Sequence, residues 1–137
     1  MALEKKLADF SNALTRLTEA YDKTLEHKTD DEYSFFRDST IQRFEFTLEI
    51  TWKSIKTFLL EYDGVECRSP KACMREFFST GYINEKDVAN LLAMVDDRNL
   101  ATHTYHEALA DEIFGHMEAY LDIFREIYEI MQKHLNL

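Results

Sequence analysis

The sequence predicts an all-α fold, an antiparallel up-down bundle of four long helices and one short helix, and three observations carry that expectation. Only three glycines and one proline interrupt 137 residues, so turns are few. Apolar residues make up 45% of the chain and recur at alternating steps of three and four, the spacing of one helix face. Aromatic residues reach 13%, with ten Phe and seven Tyr, enough to fill a core with rings. A chain of this length is most simply one domain, residues 1–137, that buries its core without disulfides or metals.

The first helix is expected over residues 3 to about 25, where Leu3, Leu7, Phe10, Leu14, Leu17, Tyr21 and Leu25 share a face and Glu4, Lys5, Asp9, Arg16, Glu19 and Lys23 oppose it. A polar stretch over residues 27–32 connects it to the second, with His27 as a loop or last-turn residue. The second helix, residues 34 to 62, has one apolar stripe through Ile41, Phe44, Leu48, Trp52, Ile55, Leu59 and Tyr62, and another through Phe36, Phe46, Ile50 and Phe58. Two apolar sides suggest a central helix, or one facing both its own core and a second subunit. Glu45 and Glu49 flank the first stripe near Trp52. They either pair with Lys53 and Lys56 at helical spacing, or one of them is half-buried and orients a site residue.

Asp63-Gly64 supplies a left-handed helix end, and Ser69-Pro70 starts a short third helix with serine as N-cap and proline in the first turn. That helix runs to about residue 79 and stops at Gly81. Arg68, Lys71 and Arg75 surround its start, the best basic cluster of the chain, which is either a phosphate contact or ordinary surface charge. Asn84 caps a fourth helix with Val88, Leu91, Leu92 and Val95 inside. A final helix over residues 109–135 carries Ile113, Met117, Tyr120, Phe124, Ile127, Met131 and Leu135, with Gly115 a local weakness and His116 and His134 at the surface or a helix end.

Sixteen basic against 26 acidic side chains give a net charge of -10, which repels a nucleic-acid backbone at long range and excludes broad, non-specific binding of it. A local nucleotide or RNA site, or a basic partner protein, remains compatible with that balance. Cys67 and Cys73 lack a paired framework or CxxC spacing and read as reduced thiols of a cytoplasmic protein. The N-terminal segment is charged and amphipathic, without an apolar signal core, and no membrane span is expected.

Residues 98–105, Arg-Asn-Leu-Ala-Thr-His-Thr-Tyr, concentrate the chemically competent side chains. Arg98 brings a permanently charged fork that suits phosphate, and His103 a side chain that accepts and gives protons near neutrality. On an unbroken helix His103 lies five steps of about 100°, or roughly 140°, around the axis from Arg98, so the two point apart. For both to act on one group, the helix must end or bend between them, or two subunits must combine. His103, His106, Glu107 and Asp111 include positions one turn apart, but HxxH without a fixed ligand set is a weak metal signal; no metal or cofactor is expected.

Arg98-x4-His103-x-Tyr105 resembles the signature of the HEPN superfamily, all-helical nucleotide-binding domains. The run from Phe44 to Lys53, FEFTLEITWK, the Ser69-Pro70-Lys71 helix start and Asp97-Arg98-Asn99 through His103-Thr104-Tyr105 are similar to its nucleotidyltransferase substrate-binding branch, whose toxin members are called HepT. The likeness spans the second helix through the last. It implies a homodimer in which two copies of the motif line one cleft, with a separate small nucleotidyltransferase as partner. It further implies metal-independent RNA cleavage by Arg98 and His103, with Asn99 positioning either the phosphate or the histidine, and AMP placed on Tyr105 to silence the toxin. Arg68 and Lys71 are the candidate substrate contacts outside the motif. The chain has no Gly-Ser followed by spaced acidic residues to hold magnesium, so it is not itself expected to transfer nucleotides. A non-catalytic substrate-binding subunit of that enzyme is the alternative.

Spacing alone also allows plainer roles. Arg98 can pair with Asp96, Asp97 or a carboxylate on another helix, His103 can cap a last turn, and Tyr105 can be a core ring. Asp96, Asp97, Glu107, Asp111 and Glu112 make the surroundings acidic, which disfavours a long RNA along this face.

Overall fold

The protein is described by a computed structural model covering residues 2–136. The helices are α1 (Ala2–Glu26), α2 (Tyr33–Asp63), α3 (Pro70–Ser79), α4 (Glu85–Leu100), α5 (Glu107–Gly115) and α6 (Met117–Leu135), with a 3-10 turn over Ala101–His103 between α4 and α5. Cross-contacts fix the directions. Thr24 bonds Thr40 at 2.9 Å while Thr47 reaches the Ala13 carbonyl at 3.4 Å, so α1 and α2 are antiparallel. The ring of α1 residue Phe10 meets Phe124 at 6.3 Å and Tyr21 meets Phe114 at 5.4 Å, so the α5–α6 arm runs antiparallel to α1.

The helix ends follow the sequence signals. Gly64 takes φ 64°, and its N–H and that of Val65 turn back onto the Leu60 and Leu59 carbonyls. The Ser69 hydroxyl accepts from the Ala72 N–H at 3.3 Å with Pro70 in the first turn, and Asn84 accepts from the Asp87 N–H at 2.8 Å. The core is as aromatic as the composition implies. Phe44 of α2 is fully buried and stacks on Tyr120 of α6 at 5.5 Å, and Phe58 receives Phe77, Tyr82 and His134 edge-on. Each such ring contributes about 1.5–3 kcal/mol by burial.

Two expectations need correction. The final helix does not run unbroken from 109 to 135: it starts at Glu107 and divides at His116 into α5 and α6. Gly115 weakens the helix there, and the His116 imidazole bonds the Asp97 carboxylate on α4, 2.7 Å away. The second correction concerns Cys67 and Cys73, which are bonded to each other rather than reduced. The Ser69-Pro70 turn folds the chain back so that Cys67, before α3, lies against Cys73 inside it, with Cα atoms 5.1 Å apart. The thiol argument for a reducing compartment therefore lapses. The second apolar stripe of α2 is covered in part within the single chain: Phe58 is buried and Phe46 is 57% exposed, as the second of the two readings of that stripe allows. Among the described residues, no helix is long and apolar enough to cross a membrane.

Candidate functional site

The site is built where α4 ends. The Ala101 N–H bonds the Arg98 carbonyl, three residues back instead of four, and the Thr104 hydroxyl donates to the Ala101 carbonyl at 2.9 Å. That local competition for backbone acceptors tightens the chain into the 3-10 turn and stops the helix. Ala101 is buried and pins the turn to the core, leaving His103 exposed. α4 thus ends between Arg98 and His103.

Arg98, on the last turn of α4, crosses to α2 and pairs with Glu49, Nη2 to Oε2 at 3.0 Å, with both side chains 35% exposed. Glu49 also accepts from Trp52 Nε1 at 3.2 Å and from Lys53 at 3.0 Å. Both sequence readings of this glutamate are therefore realised: it pairs within its own helix and it orients a motif residue. Burial acts to raise the Glu49 carboxyl, but the bonds from Lys53 and Trp52 and the charge of Arg98 outweigh it and hold the group below its ordinary range. Glu45, one turn earlier, goes the other way: burial pushes it up against the opposing pull of Arg98. An open cleft of about 460 Å³ beside Glu45 is also lined by Phe35, Gln42 and the motif residue Thr104. Grooves of about 400 and 450 Å³ between α1 and α2 include no motif residue.

His103 meets Tyr105 rather than Arg98. Its Nδ1 lies 3.3 Å from the Tyr105 hydroxyl, and Tyr105 is 72% exposed, so it is not a core ring. His106 packs on that tyrosine as well, ring centroids 4.4 Å apart. Asn99 is exposed on the turn that carries Arg98. Lys71 binds Asp96 at 2.7 Å and so ties the start of α3 to α4, while Arg68 is exposed before that helix.

Two groups that hold the site were missed by sequence reasoning. Asp97 does not serve Arg98 but faces α6, where its carboxylate accepts from Tyr120 at 2.6 Å and His116 at 2.7 Å. Burial, and then the bond to Asp97, push the Tyr120 hydroxyl far up and keep it protonated. The second is Arg37, whose side chain is 1% exposed and donates to Glu107 at 2.6 Å, Asp111 at 2.9 Å and Asp38 at 3.1 Å. Its guanidinium also lies 5.5 Å from the Tyr33 ring centre, and Tyr33 donates to Asp111 at 2.8 Å. Arg37 thereby fastens the start of α5 to α2, so the 104–106 loop is held at both ends. One signal was available: Glu107 and Asp111 are like charges at i, i+4, an arrangement that calls for a cation from another element. With those carboxylates committed to Arg37, no group of three or more His, Cys, Asp or Glu converges as metal ligands among the described residues.

The chain is an all-helical bundle in which Arg98 and His103 flank the turn that ends α4. The chain belongs to the family described as nucleotidyltransferase substrate binding protein like, which it matches over residues 5–133. A Thermus thermophilus protein of known crystal structure is 34% identical, with a TM-score of 0.80 over 89% of this chain and 98% of that one. A tri-AMPylated Shewanella oneidensis HEPN toxin, solved in complex with an MNT antitoxin, is 19% identical, with a TM-score of 0.76 over 96% of each chain. A Haemophilus influenzae protein whose structure reveals the fold of a substrate binding domain of a nucleotidyltransferase is 21% identical, with a TM-score of 0.71 over 95% of this chain and 98% of that one. A comparison with curated proteins finds no match.

Proposed function

We propose that this chain is the HEPN-type subunit of a two-component nucleotidyltransferase system, a metal-independent endoribonuclease silenced when its partner places AMP on Tyr105. The observation that carries the proposal is the corner at the end of α4, where Arg98 is oriented by Glu49 and His103 stands against an exposed tyrosine hydroxyl. His103 takes the proton from a ribose 2′-hydroxyl or gives one to the leaving oxygen, and Arg98 stabilises charge developing on the phosphoryl oxygens. Asn99 positions the phosphate, and Arg68, with Lys71 once it leaves Asp96, extends the contact along the RNA. The similar Shewanella protein is an AMPylated toxin bound to an antitoxin, which supports both a separate nucleotidyltransferase partner and a modified residue in this chain.

A second copy completes the site. Phe35, Gln42, Phe46 and Glu49 fall on one stripe of α2, and Phe35 and Phe46 are 74% and 57% exposed, so an uncovered aromatic line leads directly to the carboxylate that holds Arg98. An isologous dimer over that line brings two motifs together. Incubation of the unmodified dimer with RNA in the presence of a chelator tests the activity. Cleavage that falls at least about a hundredfold in Arg98→Ala and in His103→Ala, and is lost on AMP addition, is the expected result. A chain that binds its partner yet never cleaves would favour the non-catalytic substrate-binding subunit, which the pairing of both Arg98 and Lys71 with carboxylates also favours.

A further inference from the structure

We propose that His103 is the general base for its own chain's silencing: it accepts the proton of Tyr105 as that hydroxyl is adenylylated. The inference rests on the proposed function, since it takes Tyr105 as the acceptor, but it concerns the transfer to Tyr105 and not the cleavage of RNA. Its ground is a contrast among tyrosines. The hydroxyls of Tyr33, Tyr82 and Tyr120 donate to Asp111, Asp63 and Asp97, and each of these phenols is pushed up by burial and by its carboxylate, which keeps it protonated. Tyr62 donates to the His134 carbonyl. Tyr105 alone among these meets a nitrogen base, His103 Nδ1 at 3.3 Å, and its ring is 72% exposed where a nucleotide can approach.

A neutral phenol is a weak nucleophile, and a positioned base that removes its proton as the new bond forms speeds the attack. The imidazole tautomer with its proton on Nε2 leaves the Nδ1 lone pair free to accept. In the step, Tyr105 Oη bonds the α-phosphorus of a nucleoside triphosphate carried by the partner enzyme. The bond from that phosphorus to the oxygen bridging to the β-phosphate breaks, pyrophosphate leaves with the electron pair, and the phenolic proton passes to Nδ1. His106 packs against the same Tyr105 ring, centroids 4.4 Å apart. The product places a phosphodiester where His103 had its partner, so the base is covered by the group it helped to install and the reaction limits itself to one AMP on this oxygen.

The test is the initial rate of AMP addition at residue 105, read by peptide mass spectrometry on the full chain mixed with its nucleotidyltransferase and ATP. In His103→Ala the rate is expected to fall about a hundredfold, and free imidazole is expected to restore part of it, because the position is exposed. His103→Gln, which keeps the bulk and a hydrogen-bonding group but is no base, is expected to be as slow as the alanine variant before rescue. Binding of the partner by each variant, measured by calorimetry, is expected to match the wild type. A wild-type rate in His103→Ala, or a slow rate that imidazole does not rescue, overturns the assignment while leaving Tyr105 as the acceptor. A wild-type chain that carries no AMP at Tyr105 overturns the proposed silencing itself and this step with it.

Discussion

Replacement of Tyr120 by Phe removes one oxygen from the centre of the bundle and measures how firmly the end of α4 is anchored. The Tyr120 hydroxyl lies 2.6 Å from Asp97 Oδ2 in a residue only 3% exposed. A hydrogen bond to a charged acceptor in such a place contributes about 1.5–3 kcal/mol. Asp97 retains His116 as a donor at 2.7 Å, so the variant leaves no carboxylate without a partner, and a loss of about 2 kcal/mol is expected. In a chain of this size that corresponds to a fall of about 6–8 °C in melting temperature. Asp97→Ala does more damage, because the buried hydroxyl then has no acceptor and the bond to His116 goes too. The His116 side chain is 43% exposed and recovers most of that bond from water, so the total is about 3 kcal/mol. The double variant is expected to cost about 3 kcal/mol and not the sum of about 5, a coupling of about 2 kcal/mol. Denaturant melts of the four proteins, followed by far-ultraviolet circular dichroism, supply the cycle. A Tyr120→Phe protein within about 0.5 kcal/mol of wild type, or costs that add within that margin, would refute the claim that this pair ties α4 to α6.

If the proposed dimer forms across α2, introduction of aspartate at both Phe35 and Phe46 is expected to leave a monomer in sedimentation experiments without changing helicity, since both rings are exposed in the single chain. Glu49→Gln removes the carboxylate that phosphate must displace from Arg98, so RNA affinity measured by fluorescence anisotropy is expected to rise about threefold to fivefold, the worth of a half-exposed ion pair; an unchanged or weaker affinity would show that Glu49 positions the arginine without competing for it. Tyr33 and Tyr82 are pushed up to about 12 by burial and then by their bonds to Asp111 and Asp63, from an ordinary value near 10. A raised acid is fully stabilising below the unfolded value and loses that contribution as pH rises through the folded one, so stability is expected to decline between about pH 10 and 12, less steeply in Tyr33→Phe and Tyr82→Phe.

Most of the bundle was legible because its signals are local. Gly64, Ser69-Pro70 and Asn84 act within one turn of themselves, and each ends or starts a helix where the pattern places it. The angular mismatch between positions 98 and 103 offered two ways to join them, a helix end between the two or a second subunit; α4 does end between them, but His103 meets Tyr105 and not Arg98. What escaped were partnerships between distant segments. Arg37 reads as one charge on an apolar helix until Glu107 and Asp111, 70 and 74 positions later, fold against it. The split at His116 depends likewise on Asp97, 19 positions away, and no periodicity within the last helix announces it. The disulfide was hidden because a spacing of six residues matches no familiar framework, and only the turn at Ser69-Pro70 brings the sulfurs together.

The same partnerships explain how so acidic a chain can keep a phosphate-directed site. Of the cations around the end of α4, Arg98 rests on Glu49, Lys71 on Asp96 and the buried Arg37 on Glu107 and Asp111. None of these three is offered freely; Arg68 is exposed beside them, but a phosphate chain passing at long range meets chiefly the net charge of -10 and is repelled. Arg37 cannot be recruited, since its side chain is 1% exposed and its carboxylates fix the loop that carries Tyr105. The Arg98 pair is 35% exposed and therefore exchangeable at a cost of about 1 kcal/mol or less, which a bidentate phosphate contact recovers. On the proposed function, a ligand engages Arg98 only once it is already positioned, either by the proposed second copy across α2 or by a partner protein. Selectivity here comes from that prior positioning and not from electrostatic attraction, and it follows that binding of RNA should depend on dimer integrity more strongly than on salt.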